Sequence, residues 1–245
     1  MEPDNYEAKR QIGIVQQNVA VFDEFTVYEN IDYFCGLYIN DRKKRKQLVE
    51  EAIAFVGLED YRKIRPKKLS GGLLRRLNIA CGIAHKPRLI ILDEPTVAVD
   101  PQSRNRILEG IQQLNRQGST IIYTSHYMEE VEQICSRIAI MDHGRSIAVG
   151  TKEQLTGMIK TGEKVTIEAV VLSEEQLAGI RELPHVFAVD YQNDILTVQC
   201  TKARHNLVRI LHCLEEQGVA FGRVYSELPT LNDVFLEITG KQLRD

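Results

Sequence analysis

The sequence predicts an α/β protein with a parallel sheet, followed by a smaller α/β domain. Two short apolar runs, Leu89–Leu92 and Thr120–Thr124, are separated by a helix-length segment that begins at Asp100-Pro101. Continuous apolar strands of this kind are typical of parallel sheets that are covered on both faces. From residue 163 onward, the order of elements becomes β-α-β-β-α-β, which is typical of a ferredoxin-like unit. The two patterns together indicate two domains.

Composition describes an ordinary globular protein. The chain has 245 residues, of which 43% are hydrophobic and 27% are charged, and this is enough for one large domain or two small ones. A net charge of −3 gives no electrostatic argument for a nucleic-acid partner or an anionic membrane. The five cysteines are scattered, which indicates buried thiols in a reducing compartment. No apolar run approaches the roughly 20 residues that a membrane span needs. If the protein functions at a membrane, we expect it to bind an integral membrane protein there.

The first third of the chain predicts one strand and two helices. Gln11–Gln16 reads as a short strand. Thr26, with Glu29 three residues later, forms a capping box that opens a helix. Asp41 can cap a second helix, which Gly57 ends.

The middle of the chain combines two features that handle phosphate. Ser70 is a good N-cap residue, and Gly71-Gly72 leave the first backbone N–H groups of the next helix uncovered. Such a helix start attracts anions. The strand that follows ends in Asp93-Glu94, and its carboxylates therefore emerge at the carboxyl edge of the sheet, where open α/β sheets bind ligands.

The remaining elements follow in order. His126 comes directly after the second buried strand, and a helix, a hairpin and a capped helix at Thr151 come next. In the C-terminal part the predicted strands and helices are Lys164–Val171, Glu174–Leu183, Val186–Tyr191, Ile195–Cys200, Ala203–Gln217, Ala220–Ser226 and Leu231–Thr239.

These residues resemble the motifs of the ABC transporter ATPases. Leu69-Ser70-Gly71-Gly72 resembles their signature motif, and Leu89–Glu94 resembles their Walker B strand with its following glutamate. Three further matches are Val99-Asp100-Pro101 with the D-loop, Ser125-His126 with the switch histidine, and Val15-Gln16-Gln17 with the Q-loop. The segment from Leu228 to Leu236 resembles the ending of ATPase subunits in bacterial drug and lipid exporters of the daunorubicin-resistance type.

The resemblance implies the domain organisation. It implies a P-loop NTPase-like ABC ATPase core at residues 1–160 that lacks its N-terminal strands. A helical subdomain would occupy about 24–85 of this core. The ferredoxin-like accessory domain would occupy residues 161–245.

The resemblance also implies the roles of the site residues. Glu94 would be the general base that polarises the attacking water, and His126 would contact the γ-phosphate. Asp93 and Gln17 would hold Mg²⁺. Gln16 lies beside Gln17, and the family spacing favours Gln17.

The signature motif would act across a dimer. By resemblance, Ser70, Gly71 and Gly72 reach ATP bound on a second ABC subunit in a head-to-tail dimer. Asp100 is the D-loop aspartate of the nucleotide site and also a good N-cap residue. Two departures from the family pattern are present: Leu73 stands where glutamine is usual, and Ala98-Val99 replace Gly-Leu.

The function implied is that of the ATP-hydrolysing subunit of an ABC exporter. A separately encoded integral permease would hold it at the cytoplasmic face of the cell membrane, with its coupling helix against the helical subdomain and the groove beside Gln17. No nucleic-acid partner is implied. The transported molecule, the choice between homodimer and heterodimer, and the direction of transport beyond family analogy stay open.

One family motif does not occur in the sequence. An ABC ATPase uses a P-loop, GxxxxGK[ST], and no such string is present. P-loop contacts are worth about 1.5–3 kcal/mol each. Losing three or four of them would remove about 5–10 kcal/mol of binding free energy, so we expect this chain not to hold ATP tightly on its own.

Three interpretations of this departure stay open. The chain is a fragment of a full exporter subunit, with residues 1–9 as a tail or a truncated entry, or it is a degenerate subunit that lends the face around Ser70 to a partner's ATP site. The third interpretation is a chromosome- or repair-type ABC ATPase, against which the short helical insert at 26–56 argues.

Overall fold

The computed structural model describes residues 5–169 and 171–240. The chain divides after Ile134 into two compact units, and each has its own hydrophobic core. Residues 1–4 of the expected tail, Val170 in the expected strand Lys164–Val171, and the last five residues of the expected C-terminal domain lie outside the described residues. The domain boundary expected between residues 160 and 161 stays a prediction, because compactness alone does not define a folding domain.

The first unit consists of a small parallel sheet and helices. Its elements are α1 (Tyr6–Arg10), β1 (Ile12–Val15), α2 (Val27–Gly36), α3 (Arg42–Val56), α4 (Gly71–Ile83), β2 (Leu89–Asp93), α5 (Pro101–Arg116), β3 (Thr120–Thr124) and α6 (Met128–Ile134). Two short 3-10 turns, Glu59–Tyr61 and Pro66–Lys68, connect α3 to α4. Neither these turns nor α1 was expected from the sequence.

Helix caps in the first unit confirm the sequence signals. The Thr26 hydroxyl accepts from Glu29 N at 3.2 Å, and the Glu29 carboxylate accepts from Thr26 N at 2.7 Å, so the capping box at α2 is complete. Asp41 accepts from Lys44 N at 2.9 Å at the start of α3. Gly57 ends that helix at a φ of 63°, a left-handed conformation that favours glycine.

The three strands form a parallel sheet in the order β1-β2-β3. Val15 pairs with Leu92, and Asp93 pairs with Thr124. The carboxyl ends of all three strands therefore lie at one edge, and the residues that follow each strand are brought together there.

The two faces of this sheet differ in burial. Val15, Ile90 and Leu92 point into the core cluster that the helices cover, and each is at most 1% exposed. On the opposite face, Ile14 is 56% exposed and Ile122 is 48% exposed. The expectation of a sheet covered on both faces is therefore not met by the described residues. The sequence pattern misled because apolar side chains occur on both faces although only one face is packed.

The second unit begins with a hairpin and continues with the ferredoxin-like unit. Its elements are β4 (Ile138–Asp142), β5 (Arg145–Gly150), α7 (Lys152–Thr156), β6 (Glu163–Ala169), α8 (Glu174–Arg181), β7 (Val186–Gln192), β8 (Ile195–Cys200), α9 (Asn206–Glu216), β9 (Phe221–Glu227) and α10 (Leu231–Thr239). The sheet order is β7-β8-β6-β9, and all three pairings are antiparallel. This confirms the predicted β-α-β-β-α-β arrangement. None of the helices in the described residues has the length and apolar character needed to cross a membrane.

Because the two faces of the sheet differ in burial, we expect the same substitution to lower the free energy of unfolding by different amounts on the two faces. We expect Ile122→Thr to change the free energy of unfolding by no more than about 0.5 kcal/mol, because the side chain is half exposed. Ile90→Thr on the neighbouring strand should cost about 2–4 kcal/mol, because it leaves a cavity and buries a hydroxyl. Urea unfolding of both variants measures the difference. Equal costs would show that the Ile122 face is packed in solution.

Candidate functional site

Three side chains from three different segments meet at the carboxyl edge of the parallel sheet. Gln17 follows β1, Glu94 follows β2, and His126 follows β3. Gln17 Nε2 donates to Glu94 Oε2 at 2.9 Å, and His126 Nδ1 lies 3.5 Å from Glu94 Oε1. The Glu94 side chain is 27% exposed, so one carboxylate stands at the centre of the group and still reaches solvent.

The backbone of Glu94 is held in an unusual conformation. Its φ is 44°, in the left-handed region, which costs a non-glycine residue about 1 kcal/mol or more. Glu94 N donates to Thr124 Oγ1 at 3.1 Å, and it also lies 3.2 Å from the Thr124 carbonyl oxygen. Arg75 Nη2 donates to the Glu94 carbonyl at 3.1 Å. Bonds to both the N–H and the carbonyl of Glu94 thus hold its backbone in this conformation.

Asp93 is oriented by the same threonine. Thr124 Oγ1 donates to Asp93 Oδ1 at 2.5 Å, and the Asp93 residue is exposed. No group of three or more His, Cys, Asp or Glu side chains that could hold a metal occurs in the described part of the chain. The donor set still fits Mg²⁺, which usually keeps several waters and binds through one or two protein oxygens plus substrate phosphates. Asp93 and the amide oxygen of Gln17 could supply such oxygens.

Arg75 joins the loops after β1 and β2 from within helix α4. Its Nη1 donates to the carbonyls of Gln16 at 3.1 Å and Gln17 at 2.7 Å, while Nη2 donates to that of Glu94. The residue is 5% exposed. Burial lowers the pKa of the Arg75 guanidinium, and the nearby carboxylates of Glu94 and Asp93 act in the opposite direction. Arg75 is therefore a buried cation held by three carbonyls and two neighbouring acids.

Asn78, one turn further along α4, holds the same loop. Asn78 Nδ2 donates to the Gln16 carbonyl at 3.2 Å, and its Oδ1 accepts from Ala20 N at 3.1 Å. Asn78 is buried. No sequence motif predicted the roles of Arg75, Asn78 or Thr124. Arg75 and Asn78 lie one turn apart on α4, and this spacing indicates a functional role only once it is known that this face of the helix is buried.

The signature segment and Asp100 form a second group of predicted residues. Ser70 caps α4 by accepting from Leu73 N at 3.4 Å, and Ser70 and Gly71 are exposed. A Cβ at Gly72 would lie 2.7 Å from Ser103 Oγ and 3.0 Å from Asp100 Oδ2, so a larger residue would displace these side chains.

Asp100 is held by the start of its own helix. It accepts from Ser103 N at 2.9 Å, and hydrogen bonds from Ser103 lower the pKa of its carboxyl. Within the described residues, no hydrogen bond or ion pair joins Ser70, Gly71, Gly72 or Asp100 to Glu94. The two groups are linked through α4, which carries Gly71 and Gly72 at its start and Arg75 one turn later.

Comparison with known proteins shows the family. A family model described as ABC transporter matches residues 2–97. The linearmycin resistance ATP-binding protein LnrL of Bacillus subtilis (strain 168) is 40% identical over 241 residues, which cover 97% of this chain and 77% of the relative. The chain therefore belongs to the ATP-binding proteins of ABC transporters.

Two other relatives agree with this assignment, and a solved structure agrees with the fold. The Nod factor export ATP-binding protein I of Rhizobium sp. (strain N33) is 33% identical, covering 96% of this chain and 75% of the relative. The daunorubicin resistance ATP-binding protein DrrA3 of Streptomyces coeruleorubidus is 30% identical, covering 98% and 75%. A solved ATP-binding subunit of an ABC transporter superposes with a TM-score of 0.57 at 22% identity, over 63% of this chain and 65% of that one. The predicted fold class and the homology to drug-resistance proteins are confirmed.

The two hydrogen bonds of the Thr124 hydroxyl predict that removing this hydroxyl destabilises the protein more than removing another threonine hydroxyl on β3. We expect Thr124→Val to lower the free energy of unfolding by about 1 kcal/mol, because Asp93 Oδ1 loses its donor and Glu94 N loses an acceptor. Thr120→Val, at the other end of the strand, is the matched control and should stay within about 0.5 kcal/mol of the parent. Chemical denaturation compares the two. Equal changes in the free energy of unfolding for the two variants would mean that Thr124 does not hold Asp93 and Glu94 in position.

Proposed function

We propose that this chain is the ATP-hydrolysing subunit of an ABC exporter and that Glu94 is its general base. The convergence of Gln17, Glu94 and His126 carries this proposal. A general base must lie at a fixed position and reach a water molecule. Glu94 meets the first requirement through its two backbone anchors and the second through its partial exposure.

The neighbouring residues have complementary tasks in this proposal. His126 would donate to the γ-phosphate, which brings the phosphate close to the Glu94 carboxylate. Asp93 and Gln17 would hold Mg²⁺, which neutralises charge on the phosphate oxygens during transfer. Since Gln17 also bonds to Glu94, its side chain would report the state of the site to the loop that follows β1.

The exposed start of α4 supports a head-to-tail dimer. Ser70 and Gly71 are exposed, and the first N–H groups of a helix have no acceptor within the helix and attract anions. In the proposed dimer Ser70, Gly71 and Gly72 bind the γ-phosphate held by the second subunit. Asp100, packed beside Gly72, would join the same interface.

An aromatic cluster near the start of α2 supports a permease partner. Phe22 and Tyr33 are 41% and 44% exposed, and their ring centroids lie 5.0 Å apart. Asn30, which is fully buried, fixes this surface by donating to the Phe22 and Thr26 carbonyls at 3.0 Å. Such a rigid apolar patch suits a helix of an integral permease at the cytoplasmic face of the membrane. The relatives are named for drug resistance and Nod factor export, and this favours export as the direction of transport.

A second candidate function is favoured by one observation. The sequence contains no GxxxxGK[ST] string. In this alternative the subunit does not hydrolyse ATP and lends its signature motif to a partner's site. The first candidate function requires a P-loop in addition to the residues of this sequence.

A single substitution tests the role of Glu94. The chain is joined to a P-loop-bearing N-terminal segment from an ABC subunit, and Glu94→Gln is introduced there. We expect ATP binding within about threefold of the parent and turnover reduced by at least about 100-fold, because the amide cannot accept the proton of the attacking water. Glu129→Gln, an exposed position on α6, is the matched control.

The outcomes separate the two candidates. Turnover by the joined parent and its loss in Glu94→Gln support the first candidate. Normal turnover in Glu94→Gln would overturn the assignment of the base, and no turnover in the joined parent would favour the non-hydrolysing subunit. Titration calorimetry of the unmodified chain with Mg-ATP should give a Kd weaker than about 1 mM. Micromolar binding would show that a P-loop is not needed.

A further inference from the structure

We propose that Glu130 is a positioning residue whose buried carboxylate ties the segment after Glu94 to the loop that carries His126. The inference deepens the proposed function, because it names a residue that keeps the base and the histidine in register. It rests on the proposed function only for its effect on turnover. Its effect on the geometry of His126 is independent of nucleotide.

The Glu130 carboxylate accepts hydrogen bonds from three hydroxyl groups, which come from the turn after Glu94 and from the end of β3. Its Oε2 accepts from Tyr123 OH at 2.5 Å, from Thr96 Oγ1 at 2.7 Å and from Ser125 Oγ at 3.2 Å. Glu130 is 3% exposed, and Thr96 is fully buried. A buried carboxylate is stable only when donors or cations compensate it, so these contacts hold one another in place.

The three donors lie next to the proposed machinery along the chain. Thr96 is two residues after Glu94, and Ser125 directly precedes His126. Tyr123 is on β3, beside Leu92 of the strand that ends in the acids. Burial and the bond to Glu130 raise the pKa of the Tyr123 phenol, so the hydroxyl stays a donor. A shift of the Glu130 carboxylate would therefore move both the turn after Glu94 and the loop before His126.

A second set of contacts leads from Glu130 to His126. Arg104 Nε lies 3.3 Å from Glu130 Oε1, at an angle that forms an ion pair without a hydrogen bond. The Arg104 guanidinium carbon lies 4.7 Å from the centre of the Tyr127 ring, a cation–π distance. The ring centroids of Tyr127 and His126 are 4.2 Å apart. Tyr127 N also donates to Ser125 Oγ at 3.0 Å. Both carboxylate oxygens of Glu130 are therefore connected to His126: Oε1 through Arg104 and Tyr127, and Oε2 through Ser125.

The test measures the His126 ring directly in the nucleotide-free chain. Glu130→Gln keeps the size of the side chain and removes its charge. We expect the His126 Cδ2–H and Cε1–H cross-peaks in a ¹H–¹³C spectrum, assigned through His126→Ala, to shift by more than one linewidth. Glu129→Gln, the neighbouring exposed glutamate on α6, is the control and should leave both peaks in place.

A second variant separates positioning from the change in charge. Thr96→Val keeps the Glu130 carboxylate and its charge but removes one of its three donors. The same two His126 peaks should shift in this variant as well. Unshifted peaks in folded Glu130→Gln or in folded Thr96→Val would overturn the proposal. A purely stabilising role would lower the unfolding midpoint without moving these peaks.

Turnover distinguishes failure of this inference from failure of the proposed function. In the chain joined to a P-loop segment, Glu130→Gln should lower kcat by about 10- to 100-fold and leave KM within about twofold. An inactive joined parent would count against the proposed function alone, since the His126 spectra do not depend on it. An active parent with unchanged kcat in Glu130→Gln would count against the positioning role alone.

Discussion

The site depends on one buried cation. Arg75 lies inside helix α4 and binds the carbonyls of Gln16, Gln17 and Glu94, so that the loops after two neighbouring strands share one anchor. Burying a guanidinium is unfavourable unless charge-assisted hydrogen bonds compensate it. The three carbonyls provide these bonds, and the acids after β2 stabilise the positive charge. Displacing either loop would remove hydrogen bonds from the buried guanidinium. Since that loss is unfavourable, both loops are held in place.

The same helix connects the two groups of predicted residues. Its first turn presents Ser70 and Gly71 to solvent, where a second subunit could bind, and its next turn carries Arg75 beneath Glu94. A rigid helix that is fixed at both points would move the two groups together. Glu130 adds a second connection on the far side of the site, between the turn after Glu94 and the loop of His126. Strain at the Glu94 backbone is tolerated because both connections restrain it.

Local rules predicted most of the elements but not their anchors. The capping residues Thr26, Asp41 and Asp100 are read from a few neighbouring positions, and the structure confirms each of them. Gln17, Glu94 and His126 could be brought together because parallel strands end at one edge and because the motif order resembles a known family. Arg75 and Glu130 could not be found in this way. All three carbonyls that Arg75 binds, and Thr96 among the donors to Glu130, come from distant segments, and the burial of both residues depends on packing that no local pattern encodes.

Arg75 brings Gln17 and Glu94 together before any nucleotide is bound. This role can be measured through the side-chain amide signal of Gln17 in a ¹H–¹⁵N spectrum, because Gln17 Nε2 donates to the Glu94 carboxylate. Replacing Glu94 by glutamine should shift this signal in the parent chain and leave it unchanged in an Arg75→Met background, where the contact is already lost. An equal shift in both backgrounds would show that the two residues meet without Arg75 and that Arg75 does not organise the site.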